Sequence, residues 1–343
     1  MKAFSFQTEE EILKQMQLNP DWMFVVFSSF DKISSMKEKV SNNCVLCSTS
    51  GEFTPSGYQD GAYTGFQYPK GEGQVIEIFH PPVKGLTLLR SAYEKVKHNA
   101  NAFLLLLCDG LSAMEEAITT SFYFTEPNFK IIGGSAGDNL KFQETMITIG
   151  KRRVFSVGIM FDCKTRTQII KENLYVSSGK EMLITESDTI SRVAKTFNNR
   201  PAATEYASVL GVSEAELPNY FMSNPLGRKM GGEVYIASPM KVNSDKSITF
   251  YSQIMPNTFV DILEIADHDE VIKKTASEIK IKPSFAFSVN CILRSLYFSQ
   301  ANEWPLVNRQ LLSICSNQAG FISYGEQFYK NHFNQTMVLL LVE

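Results

Sequence analysis

Unbroken apolar runs recur along the chain: Trp22–Phe27 (WMFVVF), Ala102–Cys108, Ser284–Val289 (SFAFSV) and Met337–Val342. Runs this short, edged by turn residues, predict strands buried on both faces. Further strands are predicted over Cys44–Thr49, Gln74–Phe79, Lys130–Ile132, Met146–Ile149, Val154–Phe161, Gly232–Pro239, Ser247–Pro256 and Gly320–Tyr324. Gly150-Lys151, between two of them, is a hairpin signal. Apolar residues at helical spacing predict helices over Glu9–Gln17, Ile33–Val40 with Asp31 as cap, Gly85–His98, Ala202–Leu210, Val271–Ile279 and Val307–Cys315. Ser112–Thr119 opens with a serine three residues before a glutamate, a capping-box pattern. Ile190–Phe197 fits a helix or a strand.

These elements predict an α+β, mixed α/β fold: two related domains with mixed, largely antiparallel sheets flanked by helices. The turn Asn198-Asn199-Arg200-Pro201 sets the boundary. The expected organisation is a helical lead-in over 1–21, an N-terminal domain over 22–200 and a C-terminal domain over 201–343. A weak repeat supports the relation. Phe24–Glu52 and Phe285–Glu326 both run strand, helix, strand, then Gly-Glu. Duplication of one module and chance likeness of short strands both account for it.

Composition narrows the function. The 343 residues are 44% hydrophobic and 20% charged, ordinary for a globular protein. The formal charge of −3 leaves no basic surplus for a phosphate backbone, so no nucleic-acid partner is expected. The longest clean apolar runs, Phe103–Cys108 and Val338–Val342, fall far short of the roughly 20 residues a bilayer span needs. The start, MKAFSFQTEEEILKQ, lacks the apolar stretch of a secretory leader. The six cysteines are therefore expected as reduced thiols in the cytoplasm. Cys44 and Cys47 have C-x-x-C spacing, but no second pair follows and the segment reads as a buried strand. With four histidines a multi-histidine metal site is hard to build, while one axial histidine for a haem stays arithmetically open.

Candidate chemistry gathers at turns. Cys47-Ser48-Thr49-Ser50-Gly51-Glu52 offers hydroxyls and a carboxylate that either meet a polar ligand or cap backbone groups. Gly133-Gly134-Ser135-Ala136-Gly137-Asp138-Asn139 matches neither G-x-G-x-x-G nor the P-loop pattern. It reads instead as a close backbone approach, with Asp138 facing any ligand. Arg294, in Cys291-Ile292-Leu293-Arg294, either clamps a carboxylate or pairs with a neighbour such as Glu326. Tyr324-Gly325-Glu326 and His332-Phe333-Asn334-Gln335-Thr336 add a phenol, a carboxylate, an imidazole and amides.

The order of these motifs resembles the FIST family, with its N-terminal and C-terminal FIST domains. Leu46–Glu52 is similar to the family's Gly-Cys-Ser-Thr-x-Gly-Glu signature, with Leu46 replacing the glycine. Gly133–Asp138 resembles its Gly-Gly-x-Ala-Gly-Asp loop. Arg200-Pro201-Ala202 and Asn224-Pro225-Leu226-Gly227 resemble its middle stretch, and Cys291 with Arg294 its Cys-x-x-Arg. Tyr324–Glu326 and Asn334–Thr336 resemble the closing elements. Phe333 holds the place of a histidine that often precedes that asparagine, and His332 lies one residue earlier. The resemblance implies a cytoplasmic sensory module, not an enzyme. It would bind a small ligand and act on a separate signalling protein, such as a histidine kinase or chemotaxis receptor. The implied ligand site comprises Cys47, Ser48, Thr49, Glu52, Asp138, Arg294, Tyr324, Glu326 and Asn334, and its opposite charges suit an amino acid. Some relatives are haem-binding nitric-oxide sensors that regulate histidine kinases or cyclic-dinucleotide enzymes. Under that alternative His332, or His98, would ligate the haem. A cysteine hydrolase using Cys47 or Cys291 is the remaining reading.

Overall fold

The computed structural model describes residues 1–230 and 233–343. They form two compact units. Unit 1 is Met1–Glu172, Lys274–His332 and Met337–Glu343; unit 2 is Asn173–Lys273 and Phe333–Thr336. Residue 200 lies inside unit 2.

Unit 1 is one motif written three times. The first module runs β1 (Lys2–Phe6), α1 (Glu9–Leu18), β2 (Trp22–Ser28), α2 (Phe30–Met36) and β3 (Cys44–Ser48). A hairpin, β4 (Glu52–Thr54) and β5 (Gly57–Gln59), and a return strand, β6 (Tyr63–Pro69), complete it. The second repeats this as β7 (Gly73–Ile78), α3 (Leu86–Val96), β8 (Phe103–Cys108), α4 (Glu115–Tyr123) and β9 (Ile131–Ser135). Its hairpin is β10 (Ile147–Ile149) and β11 (Arg152–Val154), and its return strand β12 (Ser156–Phe161). The third opens with β13 (Thr167–Asn173) and is then interrupted by unit 2.

Unit 2 is a sheet with one long helix. Its strands are β14 (Tyr175–Asp188), β15 (Val193–Phe197), β16 (Arg200–Pro201), β17 (Leu226–Met230), β18 (Glu233–Ala237), β19 (Pro239–Val242), β20 (Ile248–Phe250) and β21 (Thr258–Ile265). Helix α5 (Ala202–Leu210) ends where Gly211 turns left-handed at φ 83°, a conformation glycine adopts without strain. Phe197, Tyr206, Phe250 and Ile262 form the centre of this unit's core. The sequence places α5 correctly and leaves the segment ending in β15 open, which the structure resolves as strand. Gly232, where a strand is predicted to begin, lies outside the described residues.

The third module resumes with α6 (His268–Glu278), β22 (Phe285–Cys291), α7 (Ile292–Gln300), α8 (Trp304–Ile314) and β23 (Gln318–Ser323). The hairpin β24 (Glu326–Phe328) and β25 (Asn331–Phe333) and the return strand β26 (Thr336–Val342) end it.

Each module yields a six-stranded sheet of one order: opening strand, return strand, two parallel strands, hairpin. The hairpin comes from a neighbour. β4–β5 extends the third sheet at β23, β24–β25 extends the second at β9, and β10–β11 extends the first at β3. The inner faces share one core, with Phe27 stacked on Phe321 at 4.6 Å and Phe103 on Phe161 at 4.7 Å. The repeat read from the sequence as two copies is thus three.

Local chemistry moves some predicted ends. Asp109 accepts the Leu111 amide at 2.9 Å, and Ser112 bonds the Asp109 carbonyl rather than capping, so α4 starts at Glu115. Ser29, not Asp31, stands at the N-cap of α2. The glycine-rich stretch 133–135 is strand, because a Cβ at Gly133 would lie 1.8 Å from the Leu106 carbonyl oxygen.

On the outer faces, helices cover the sheets, and here the modules diverge. Phe24 and Val26 of β2 meet Ile12, Ile33 and Met36. Leu104 and Leu106 of β8 meet Leu89, Ile118 and Phe122. By strand register the same positions of β22 carry Ala286 and Ser288, followed by Asn290.

Candidate functional site

The parallel pairs β2/β3, β8/β9 and β22/β23 end at the same place, because the turns that follow them bond to one another. The Ser50 amide donates to the Ile322 carbonyl at 3.1 Å, and the Ile322 amide to Gly51 at 2.8 Å. Tyr324 and Gly325 hold Ser135 in the same way, at 3.1 and 2.9 Å. The Gly137 amide donates to Ser48 at 3.0 Å and closes the ring. In open α/β sheets the carboxyl ends of strands are where ligands bind, so this ring is the first place to look.

Ser48, Thr49, Glu52, Asp138, Tyr324 and Glu326 all lie here, and they bond mainly to the ring itself. Thr49 donates to Glu52 at 2.6 Å, and Ser323, its equivalent by register, donates to Glu326 at 2.7 Å. The Ala62 amide donates to the second Glu52 oxygen at 3.0 Å. Ser48 accepts the Met146 amide at 2.9 Å. Asp138 accepts the Tyr324 hydroxyl and the amides of Phe142, Gln143 and Glu144. Burial alone would raise Asp138, but the Tyr324 hydroxyl and those amides outweigh it and hold the carboxyl below its usual range. Glu52 goes the other way, pushed up to about 7 by burial. Cys47 is fully buried, and burial pushes its thiol up.

A polar chain that sequence reasoning missed enters the ring at Ser135. Its hydroxyl donates to Glu115 at 3.1 Å and accepts Gln327 Nε2 at 3.2 Å, and Gln327 Nε2 lies 3.2 Å from His332 Nδ1. Ser135 and His332 were visible as turn chemistry and Glu115 through the supposed capping box, but Gln327, which joins them, carried no signal.

Arg294 is not part of the ring. It hydrogen-bonds none of the ring carboxylates, so the expected shared pocket of Arg294 with Glu52, Asp138 and Glu326 is corrected. Its partner is Glu172 of β13, and both side chains are fully buried. Glu172 also accepts Thr275 of α6 at 2.6 Å and Gln310 of α8 through Nε2. The guanidinium lies over Phe298, 4.9 Å from the ring centroid. This is the outer layer of the third module, where the other two are apolar.

Several buried atoms here have no hydrogen-bond partner among the described residues: Arg294 Nε and Nη1, Gln310 Oε1, both amide atoms of Asn290, Ser288 Oγ and Gln318 Nε2. Ser288, Asn290 and Gln318 share the helix-side face, since Phe287 and Val289 between them point into the common core. Each such orphan costs about 1–3 kcal/mol if nothing fills it.

Asn334 belongs to unit 2, where it is buried with neither amide atom partnered among the described residues. Its neighbour Gln335 bonds Ser238 and the Tyr175 hydroxyl, each at 2.7 Å. A cavity of about 490 Å³ lies elsewhere, at the amino end of β2 and β3, lined by Leu13, Met16, Met23, Lys39 and Asn43 among others. It includes no predicted site residue. Among the described residues, no group of three or more His, Cys, Asp or Glu side chains is placed to hold a metal, and no helix is long and apolar enough to cross a membrane.

Two family models match the chain: the FIST N domain over residues 21–200 and the FIST C domain over residues 202–329. No curated protein matches it.

Proposed function

The chain belongs to the FIST family, whose domains are associated with signal-transduction sensing, and from that premise we propose that it is a sensor whose third-module polar layer receives a small carboxylate ligand. The observation that carries this reading is Arg294: wholly buried, bonded to Glu172 through Nη2, with Nε and Nη1 unpartnered. Nε–H lies on the edge that Nη2 shares with Glu172 and Nη1 faces the other side, so a ligand carboxylate takes a charge-assisted bond from Nε and a second acceptor takes Nη1. Gln310 Oε1 and Asn290 Oδ1 are acceptors for a donor on the adjacent carbon. The matching ligand class is an α-amino or α-hydroxy acid. Ordered water is the competing occupant, since it too would satisfy these groups.

A non-catalytic role draws support from the thiols. A nucleophilic cysteine needs a lowered pKa, yet burial pushes Cys44 up to about 12 and Cys47 higher still. No disulfide joins any of the six cysteines, which fits a reducing compartment. The output would pass to a separate signalling protein.

The test is a thermal-shift screen with L-amino acids and α-hydroxy acids, followed by calorimetric titration. A member of the panel should raise the midpoint in the wild type and leave Arg294→Met unmoved. A panel that shifts nothing overturns the reading in favour of water.

A further inference from the structure

Glu172 is the last residue of unit 1 before the chain enters unit 2, and the chain returns at Lys274. The residue after that return is Thr275, whose hydroxyl bonds the Glu172 carboxylate at 2.6 Å. One carboxylate thus ties the outgoing and returning chain together. Arg294 and Gln310 hold that same carboxylate. Just beyond it, the Ala266 amide donates to the Leu174 carbonyl at 2.8 Å, continuing the tie into unit 2.

In the first module the corresponding opening strand and helix, β1 and α1, are joined by a short turn, with Thr8 and Glu11 forming a capping box. In the third module the insertion replaces that turn, and a buried, charged bond stands beside the join. A surface hydrogen bond would have served to hold strand β13 to helix α6. Placing the tie on the guanidinium makes it answer to whatever else occupies that guanidinium.

Resting on the ligand reading above, we infer that Glu172 is the latch that reports occupancy of the layer to unit 2. A ligand carboxylate on Arg294 Nε, beside the Nη2 that Glu172 holds, shares that edge of the guanidinium with Glu172 and sets a like charge next to it. Two carboxylates at one site repel, so the hold on Glu172 weakens. The Glu172–Thr275 tie loosens with it, and so do both chain crossings. The latch has two states, Glu172 held or released, and a ligand that binds the released state better shifts the balance toward it.

Hydrogen exchange by mass spectrometry on the full chain tests this, with an equimolar mixture of the twenty L-amino acids as probe. In the wild type the mixture should speed exchange of residues 173–175 and 266–276 by roughly fivefold or more. Thr275→Val should keep the thermal shift and lose that exchange response. Glu172→Gln should exchange fast at these segments without any probe. If the mixture raises the wild-type midpoint yet leaves those segments unchanged, the latch is overturned and the sensor reading stands. If neither this mixture nor the α-hydroxy acids of the thermal screen raise the midpoint, the sensor reading fails. Glu172→Gln alone then decides: slow, wild-type exchange in that variant overturns the latch as well.

Discussion

Tyr324 and Asp138 are 186 positions apart in sequence and share one hydrogen-bonded knot. The phenol donates to the Asp138 carboxylate while its oxygen accepts the amides of Asp138 at 3.3 Å and Leu140 at 2.7 Å. Tyr324→Phe strands both amides and removes one of the two bonds to Asp138 Oδ1, which keeps the Phe142 amide. We expect a loss of about 1–3 kcal/mol in urea unfolding at pH 7. Because Asp138 is held low, its contribution is present above its ordinary 3.8 and lost as pH falls through the folded value. Acid loss in Tyr324→Phe should therefore begin at higher pH than in the wild type.

Glu52 gives the opposite slope. Its folded value of about 7 lies above its ordinary 4.5, so the native state holds more protons than the unfolded chain between those values. The stability tied to this group is complete below 4.5 and declines as pH rises through about 7. Glu52→Gln removes that decline. Between pH 5 and 8 the variant should gain on the wild type by as much as about 3 kcal/mol. Parallel stability curves for the two proteins would refute the assignment.

The Arg294–Glu172 pair should be non-additive. Arg294→Met and Glu172→Leu alone each leave a buried charge or its partners stranded, at a cost of about 3–5 kcal/mol. The double variant should cost clearly less than the sum of the two. Additive losses in a double-mutant cycle would mean that the two side chains act independently.

Gly133 and Gly320 occupy the same register position in the second and third sheets. A Cβ would sit 1.8 Å from the Leu106 carbonyl oxygen at one and 2.2 Å from that of Ser288 at the other. Alanine at either should lower stability by about 3 kcal/mol or more, since backbone must move. Leu46 holds the matching place in β3, so Leu46→Gly should act as a cavity instead, costing burial without strain.

Thiol labelling separates binding module from hydrolase. Cys163 is the half-buried cysteine, and burial pushes it up to about 11. In the native protein iodoacetamide at pH 7 should label Cys163 first and slowly, and the others only after unfolding. Rapid labelling of Cys47 or Cys291 would reopen the enzyme reading.

Strands buried on both faces were legible because they are unbroken apolar runs; β2, β8, β22 and β26 fall where the sequence puts them. Gly150-Lys151 also marked the hairpin β10–β11, but the hairpins β4–β5 and β24–β25 were not legible, since Glu52–Thr54 and Glu326–Phe328 are three residues each and pair with strands of another module. Strand β14 and helix α7 went unpredicted: β14 is largely polar and exposed, with only Tyr175, Met182 and Ile184 buried along fourteen residues, and α7 carries a buried arginine where an apolar residue would have signalled a helix face. Every ring residue was visible as turn chemistry. Their mutual bonding was not, because it depends on the second module, the copy whose turn carries Gly137-Asp138 in place of Gly-Glu. Glu172 could not be found at all from local pattern. It is one acid among 36 acidic residues, and only the fold makes it a partner of Arg294.

The exchange of hairpins has a consequence for how such a chain is made. β9 lacks its outer neighbour until β24 has left the ribosome, so the second sheet waits with an open edge through most of synthesis. No third of unit 1 is a self-sufficient piece, and cutting out any one leaves raw edges on the remaining two. Additions are tolerated where they interrupt no borrowed strand, and the seam between β13 and α6, which holds all of Asn173–Lys273, is such a place.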